Sequence, residues 1–273
     1  MDNRLNDRHY DETQRHKTLE QTLSGFDPIS LAEMSNVSLL NRIDTKYLFP
    51  ISDLPFILEQ IQADYRILDI NNIRLNQYHT VYFDKADFTL YNQHHNRHAD
   101  RYKVRARQYV DTNLAFFEVK HKTNKKRTIK SRLPLEDEYP VYGNDVTHFV
   151  HSHTPIKPED LEQKLWNDYS RLTLVGNTQP ERVTIDLQLT FGQDGNVTGL
   201  PGLVIAEVKQ AHFTQNSYFI QQMRRIGIRS SSFSKYCAGV YLLYDNVKTN
   251  NFKPVMRNVQ KLVEMEIANA SIS

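Results

Sequence analysis

One cysteine, Cys237, is all that the chain contains, so no disulfide framework can form within a monomer. A reducing compartment fits that usage. No run approaches the ~18 consecutive apolar residues of a membrane-spanning helix. The opening stretch, MDNRLNDRHYDETQRHKTLEQ, is polar and lacks the apolar centre of a secretory signal. These absences predict a cytoplasmic protein, and they leave room for a membrane protein partner and a peripheral position at the inner membrane face. Net charge is also missing, since 34 Lys and Arg stand against 32 Asp and Glu. A general nucleic-acid binder is more often basic throughout, so DNA is not expected as a partner. With 39% hydrophobic residues among 273, the chain can bury a core as two small domains or one large barrel-like domain.

Against that neutral background one stretch stands out. Arg97 to Arg132 holds twelve Lys or Arg and only three acids, Asp100, Asp111 and Glu118. Within it, RYKVRARQYVDTNLAFFEVKHK places Arg101, Lys103, Arg105 and Arg107 at every second position. Side chains alternate faces along a strand. Four cations would then share one face, about 7 Å apart, and repel each other. After the polar turn Asp111-Thr112-Asn113, Glu118, Lys120 and Lys122 alternate with Phe117, Val119 and His121. The pair predicts a hairpin with one charged face on each strand. A solvated surface is the plain explanation of such a run. The preference for Arg, which binds phosphate in bidentate fashion, and the carboxylate Glu118 set among the cations point instead to a polyanion site.

The rest of the chain is expected to fold around this hairpin. Residues 1–22 read as a flexible tail and 23–273 as a single domain. Asp27 before Pro28 predicts a helix start, with Ile29, Leu31 and Met34 buried. A strand carrying Leu40, Arg42, Asp44 and Lys46 on one face ends at Pro50. A helix follows with Leu54, Ile57, Leu58 and Ile61 at helical spacing. Residues 66–84 read as two strands around an Asn71-Asn72 turn. His94, His95 and His98 have metal-like spacing but no thiol support, and are better read as an exposed linker. Residues 141–168 read as helical, broken at Pro155 and Pro158, with Trp166 packing. In ERVTIDLQLTF, Arg182, Thr184, Asp186 and Gln188 share one face. Helices are expected around Ser217–Ile226, after a Ser232 or Ser234 cap, and over Pro254–Ala268.

One device recurs: strand after strand has an ionic face and an apolar face. A closed barrel accommodates this if apolar faces pack outward under helices and ionic faces line a tunnel. Mixed signs, Arg182 with Asp186 and Glu207 with Lys209, favour the tunnel over open surface. An interior with excess cations and a few carboxylates suits polyphosphate and a divalent metal.

LLNRIDTKY, RYKVRAR, FFEVK, RVTID, AEVK and SSFSKY, in that order, together resemble the catalytic domain of the VTC family of polyphosphate polymerases. That domain belongs to the triphosphate tunnel metalloenzyme superfamily, with the CYTH proteins and RNA triphosphatases. The resemblance runs from about Phe26 to Tyr244. It implies an α+β fold, an antiparallel eight-stranded β-barrel tunnel with surrounding helices. It implies that Lys46, Arg105 and Arg107 bind nucleotide or chain phosphates and that Lys120 contacts the transferred phosphoryl group. Arg171 and Arg182 would continue the lining, Glu207 would hold Mn²⁺ or Mg²⁺, and Lys209 and Lys235 would complete the phosphate cage. Beside these, the strand faces make Glu118 and Asp186 further metal or supporting candidates. Arg42 and Asp44 suit an ion pair near the rim, Arg101 and Lys103 suit the tunnel mouth, and Lys103 is counted among the substrate-binding cations. Unlike eukaryotic members, this sequence shows no SPX-type domain and no membrane segments, so a stand-alone form is expected.

The activity that follows is metal-dependent transfer of the ATP γ-phosphate to a growing polyphosphate chain, with ATP and polyphosphate or pyrophosphate as ligands. A hydrolase of tripolyphosphate or nucleoside triphosphates would use the same site with water as nucleophile. A non-catalytic polyanion-binding module would have no use for three carboxylates facing its cations. A barrel whose charges merely pair internally would bind no phosphate.

Overall fold

The computed structural model describes residues 19–35, 43–125, 127–136 and 143–271. Arg42, Leu40 and the first eighteen residues of the expected tail lie outside these. Helix α1, Leu19–Ser24, already crosses the expected tail boundary and buries Thr22 and Leu23. Strand β1, Asp27–Ile29, stands where a helix start was predicted. The helix α2, Leu31–Ser35, begins one turn later because Ser30 is the better cap. Ser30 Oγ and Glu33 satisfy each other's backbone N–H groups, a reciprocal capping box.

Strand β2 is Ile43–Pro50, and helix α3, Leu54–Ile61, buries the four predicted apolar positions. Strands β3, Tyr65–Leu68, and β4, Asn76–Asp84, flank the Asn71-Asn72 turn, where both Asn residues take positive φ. These two strands do not pair with each other; both pair with β8, Glu162–Gly176. Between β4 and β8 come α4, Thr89–His95, the hairpin strands β5, Arg101–Tyr109, and β6, Leu114–Lys122, then β7, Thr128–Leu135, and α5, Asn144–His153. The helical reading of residues 162–168 is corrected: they open β8, and Trp166 packs from a strand. Strands β9, Glu181–Gln193, β10, Asn196–Leu200, and β11, Leu203–Gln210, precede helices α6, Tyr218–Arg225, α7, Lys235–Leu243, and α8, Lys253–Ala270. Ser217 and Ser234 cap α6 and α7, each accepting from a backbone N–H in the first turn.

Eight strands follow one antiparallel path, β2-β11-β9-β8-β4-β5-β6-β7. No pairing joins β2 to β7 among the described residues, so the expected barrel is an open, curled sheet. The curl brings its ends together: Lys120 on β6 lies within electrostatic reach of Asp44 and Lys46 on β2 and of Glu207 on β11.

The outer surface of the sheet is apolar. Ile185, Leu187, Val204, Ala206 and Val208 pack under α1, α3 and α6. Val81, Phe83, Val104, Ala106, Phe117 and Val119 pack under α4 and α5. The inner surface divides in two. One half is ionic; the other is apolar, with Leu48, Tyr82, Leu165, Leu189, Phe191, Leu203 and Ile205 packed on α7. The change occurs at Gln188, whose φ of +54° bulges β9. Gln188 therefore leaves the face of Asp186, and its amide oxygen accepts from Ser170 at 2.6 Å. After the bulge, Leu189 and Phe191 turn inward, against the predicted alternation. Helix α7 comes so close that a Cβ on Gly239 would lie 2.9 Å from Leu165 and Phe191.

On the outside, Gly192 pairs with Trp166, and the indole lies where a Cβ would stand, 2.1 Å from Cζ2. Gly192→Ala would displace the chain's single Trp. We expect destabilisation of about 1–3 kcal/mol in urea titration and a red-shifted emission in native buffer. Wild-type emission with wild-type stability would refute this packing.

Candidate active site

The ionic half of the inner surface is built by strand alternation. On β5, Lys103, Arg105 and Arg107 point inward, and their β6 partners in register are Lys120, Glu118 and Phe116. Lys130 on β7 pairs with Lys120. On the opposite wall, Lys46 pairs with Glu207, and Asp44 with Lys209. Lys209 also pairs with Arg182 of β9, and Asp186 with Arg171 of β8. All twelve predicted site residues thus share one surface.

Three carboxylates each hold two cations. Glu118 accepts from Arg105, with Nε and Nη2 both at 2.6 Å, and forms an ion pair with Lys130. Burial would raise the Glu118 carboxyl, but Arg105, Arg107 and Lys130 overcome it and hold it at about 2. Asp186 takes a fork from Arg171, Nε at 2.5 Å and Nη2 at 2.8 Å, and also pairs with Lys235. Burial opposes ionisation there too, yet Arg171 and Lys235 hold the carboxyl well below its ordinary range. Glu207 accepts from Lys46 and, at 2.9 Å, from Lys209. Its carboxyl is likewise held well down, against burial, by Lys209 and Lys46.

The cations remain in excess. Burial pushes Lys103 and Lys209 down to about 8. It lowers Lys120 and Lys235 as well, against the pull of nearby carboxylates. Lys120 keeps solvent contact although protein surrounds it, as expected in a water-filled tunnel. Lys103 donates to Ser234 Oγ at 2.9 Å, and Lys209 to Thr184 Oγ1 at 2.6 Å. Arg107 donates to Thr80 Oγ1 at 3.2 Å.

An aromatic wall that sequence reasoning overlooked supports these groups. Tyr78 and Tyr169 stack with centroids 5.1 Å apart. Arg171 lies 5.0 and 5.2 Å from the two rings, Arg107 5.7 and 5.9 Å, and Lys235 Nζ 4.3 Å from Tyr169. The alternation that selected Arg171 also carries Tyr169. Lys130 was likewise legible, sharing the face of Thr128 and Arg132, but was assigned no role at the site. His94, His95 and His98 form no centre: His95 accepts from the Asn251 backbone N–H at 3.2 Å and is structural. Tyr47 and Tyr236 pack, Tyr236 donating to Asp84 at 2.6 Å.

Among the described residues no three His, Cys, Asp or Glu side chains gather as a metal cluster. Glu118 and Asp186 are almost wholly enclosed by their cations, with side-chain exposures of 2% and 5%, whereas Glu207 retains 19%. A hard divalent ion that arrives on phosphate oxygens needs only one or two protein carboxylates. Glu207, with Asp44 diagonal to it across β2 and β11, is the set whose chemistry fits.

The sequence matches the VTC domain family over residues 41–244. The chain belongs to the VTC-domain family. No curated protein matches it. Among solved structures, a candidate adenylate cyclase from Bacillus halodurans superposes with TM-score 0.51 at 12% identity, covering 75% of this chain and 98% of that one. A candidate adenylyl cyclase from Hippeastrum, itself with a dominant triphosphatase activity, gives TM-score 0.49 at 11% identity over 75% and 98%. The VTC-domain chain thus has the triphosphate tunnel fold that its motifs implied. Among its described residues no helix is long and apolar enough to cross a membrane.

Burial lowers Lys103, Lys130 and Lys209 alike to about 8, which would leave each about half protonated at pH 8. A bound polyanion restores their ordinary affinity for protons. Calorimetry with long-chain polyphosphate in buffers of different ionisation heat should show uptake of about one to two protons near pH 8 that vanishes below about pH 6. Affinity should weaken as pH rises above 8. Binding without proton exchange would contradict the charge state assigned to these lysines.

Proposed function

We propose that this VTC-domain protein is a metal-dependent ATP–polyphosphate phosphotransferase. The observation that supports it is the deficit of negative charge on the inner surface. By strand register Lys46, Arg101, Lys103, Arg105, Arg107, Lys120, Lys122, Lys130, Arg132, Arg171, Arg182 and Lys209, with Lys235 from α7, share the surface with Asp44, Glu118, Asp186 and Glu207. Thirteen cations against four carboxylates leave room for a highly charged anion, and a chain of phosphates supplies it.

In this reading Lys46, Lys103, Arg171, Arg182 and Lys235 hold the phosphates in line. Arg105, Arg107, Lys120 and Lys209 offset the charge that spreads over the transferred group. Glu118 and Asp186 fix the planes of Arg105 and Arg171, which confines those guanidinium groups to one geometry. Glu207 would hold Mn²⁺ or Mg²⁺, which would supply further offset of the phosphates' negative charge. An oxygen of the chain's terminal phosphate attacks the γ-phosphorus, the bond to the β–γ bridging oxygen breaks, and ADP leaves. Positioning and charge carry the reaction, and no protein nucleophile is required.

A triphosphatase is the second reading, favoured by the seating of α7 within one end of the curled sheet. A chain running straight through would have to pass that helix, whereas a short triphosphate would not.

Incubation with ATP, Mn²⁺ and a trace of pyrophosphate separates the two. A growing ladder on a polyphosphate gel with matching ADP is expected; free phosphate without a ladder would replace the polymerase by the hydrolase. Lys120→Ala should lower turnover by about 10²–10³ with an unchanged melting temperature. Glu207→Gln should raise the metal concentration needed for half-maximal rate. Full turnover in both folded variants would remove these assignments.

A further inference from the structure

Tyr169 lies on β8 with 1% exposure, stacked on Tyr78 and covered by Arg171 and Lys235. Its hydroxyl is buried and has no hydrogen-bond partner. Three other buried tyrosines have satisfied hydroxyls. Tyr91 donates to the Lys248 carbonyl at 2.7 Å, Tyr236 to Asp84 at 2.6 Å, and Tyr65 to Glu181. A buried hydroxyl without a partner is disfavoured and therefore uncommon.

The groups around this hydroxyl explain why its proton finds no acceptor. Its oxygen lies within electrostatic reach of Arg105 and Arg171. Guanidinium and ammonium groups donate only, so none can accept the hydroxyl proton. The nearby carboxylates are already engaged, Asp186 by Arg171 and Lys235, and Glu118 by Arg105 and Lys130. The site therefore holds a neutral donor among cationic donors and lacks one anionic acceptor.

We propose that the Tyr169 hydroxyl is a phosphate-binding donor, pointing its proton at an oxygen that Arg105 and Arg171 also hold. This rests on the polyphosphate reading of the site and adds to it a neutral, oriented donor. A phosphate oxygen has the lone pairs to take all of these hydrogen bonds at once, and the hydroxyl contributes without adding to the repulsion among the cations. It thereby selects a tetrahedral oxyanion over a halide or other featureless anion.

The inference carries an unusual signature, because a structural hydroxyl and a ligand-awaiting one respond oppositely to removal. Tyr169→Phe keeps the ring and its stacking on cations. Its melting temperature without ligand should equal or slightly exceed that of the wild type. Its affinity for tripolyphosphate, by calorimetry, should fall about five- to tenfold. Tyr236→Phe is the structural counterpart: it leaves Asp84 short of a donor and should lower the melting temperature. An affinity for Tyr169→Phe within twofold of wild type would overturn the proposal and assign the hydroxyl to a buried water. A melting temperature lowered as in Tyr236→Phe would overturn it too, by making the hydroxyl structural. If wild type itself failed to bind tripolyphosphate, the polyphosphate reading would fall first and this inference with it.

Discussion

Repulsion among like charges is the constraint around which this molecule is built. A sheet that turns so many lysines and arginines toward one another would open unless something restrained them. Three carboxylate clamps do so, at Glu118, Asp186 and Glu207, each gripping two cations from different strands or from a helix start. The clamps hold the wall together without neutralising it. Burial then acts on the lysines and lowers their affinity for protons. The unliganded surface is poised, with its electrostatic cost awaiting an anion from outside.

The outer packing makes that tension tolerable. Helices α1, α3 and α6 on one flank and α5 on another bury the apolar backs of the same strands that carry the charges. Each strand is thus fastened by its apolar residues and strained by its ionic ones. Where one residue faces both, as Tyr169 does, the ring carries the packing by stacking on Tyr78 and the unpartnered hydroxyl is left over for the site.

Much of this was legible in the sequence. Period-two alternation located the β5–β6 hairpin with its cations, and Arg182, Thr184 and Asp186 on β9, because a strand's faces follow directly from residue parity. Capping chemistry marked α7. The failures have physical reasons. Residues 162–168 were read as helix because their neighbours favoured helix, whereas pairing to β4 decided the matter. At Asp27 a local signal lost to sheet pairing with β3. Parity itself failed at Gln188, since one left-handed residue inverts all that follows. The cation-holding tyrosines were given no role, although Tyr169 shares the face of Arg171, because aromatic residues on a strand usually signify core, and here they serve core and site together.

That inversion at Gln188 fixes where the tunnel stops. Before it, β9 faces inward with Thr184 and Asp186; after it, with Leu189 and Phe191, which receive α7. The boundary between wet and dry halves is therefore written into the backbone and not into the identity of any one side chain. Substitutions along β9 can tune either compartment but cannot move the border between them. Relatives with a longer or shorter ionic channel would have to arise by gaining or losing a single residue at this bulge, so channel length should change in discrete steps through insertions and deletions.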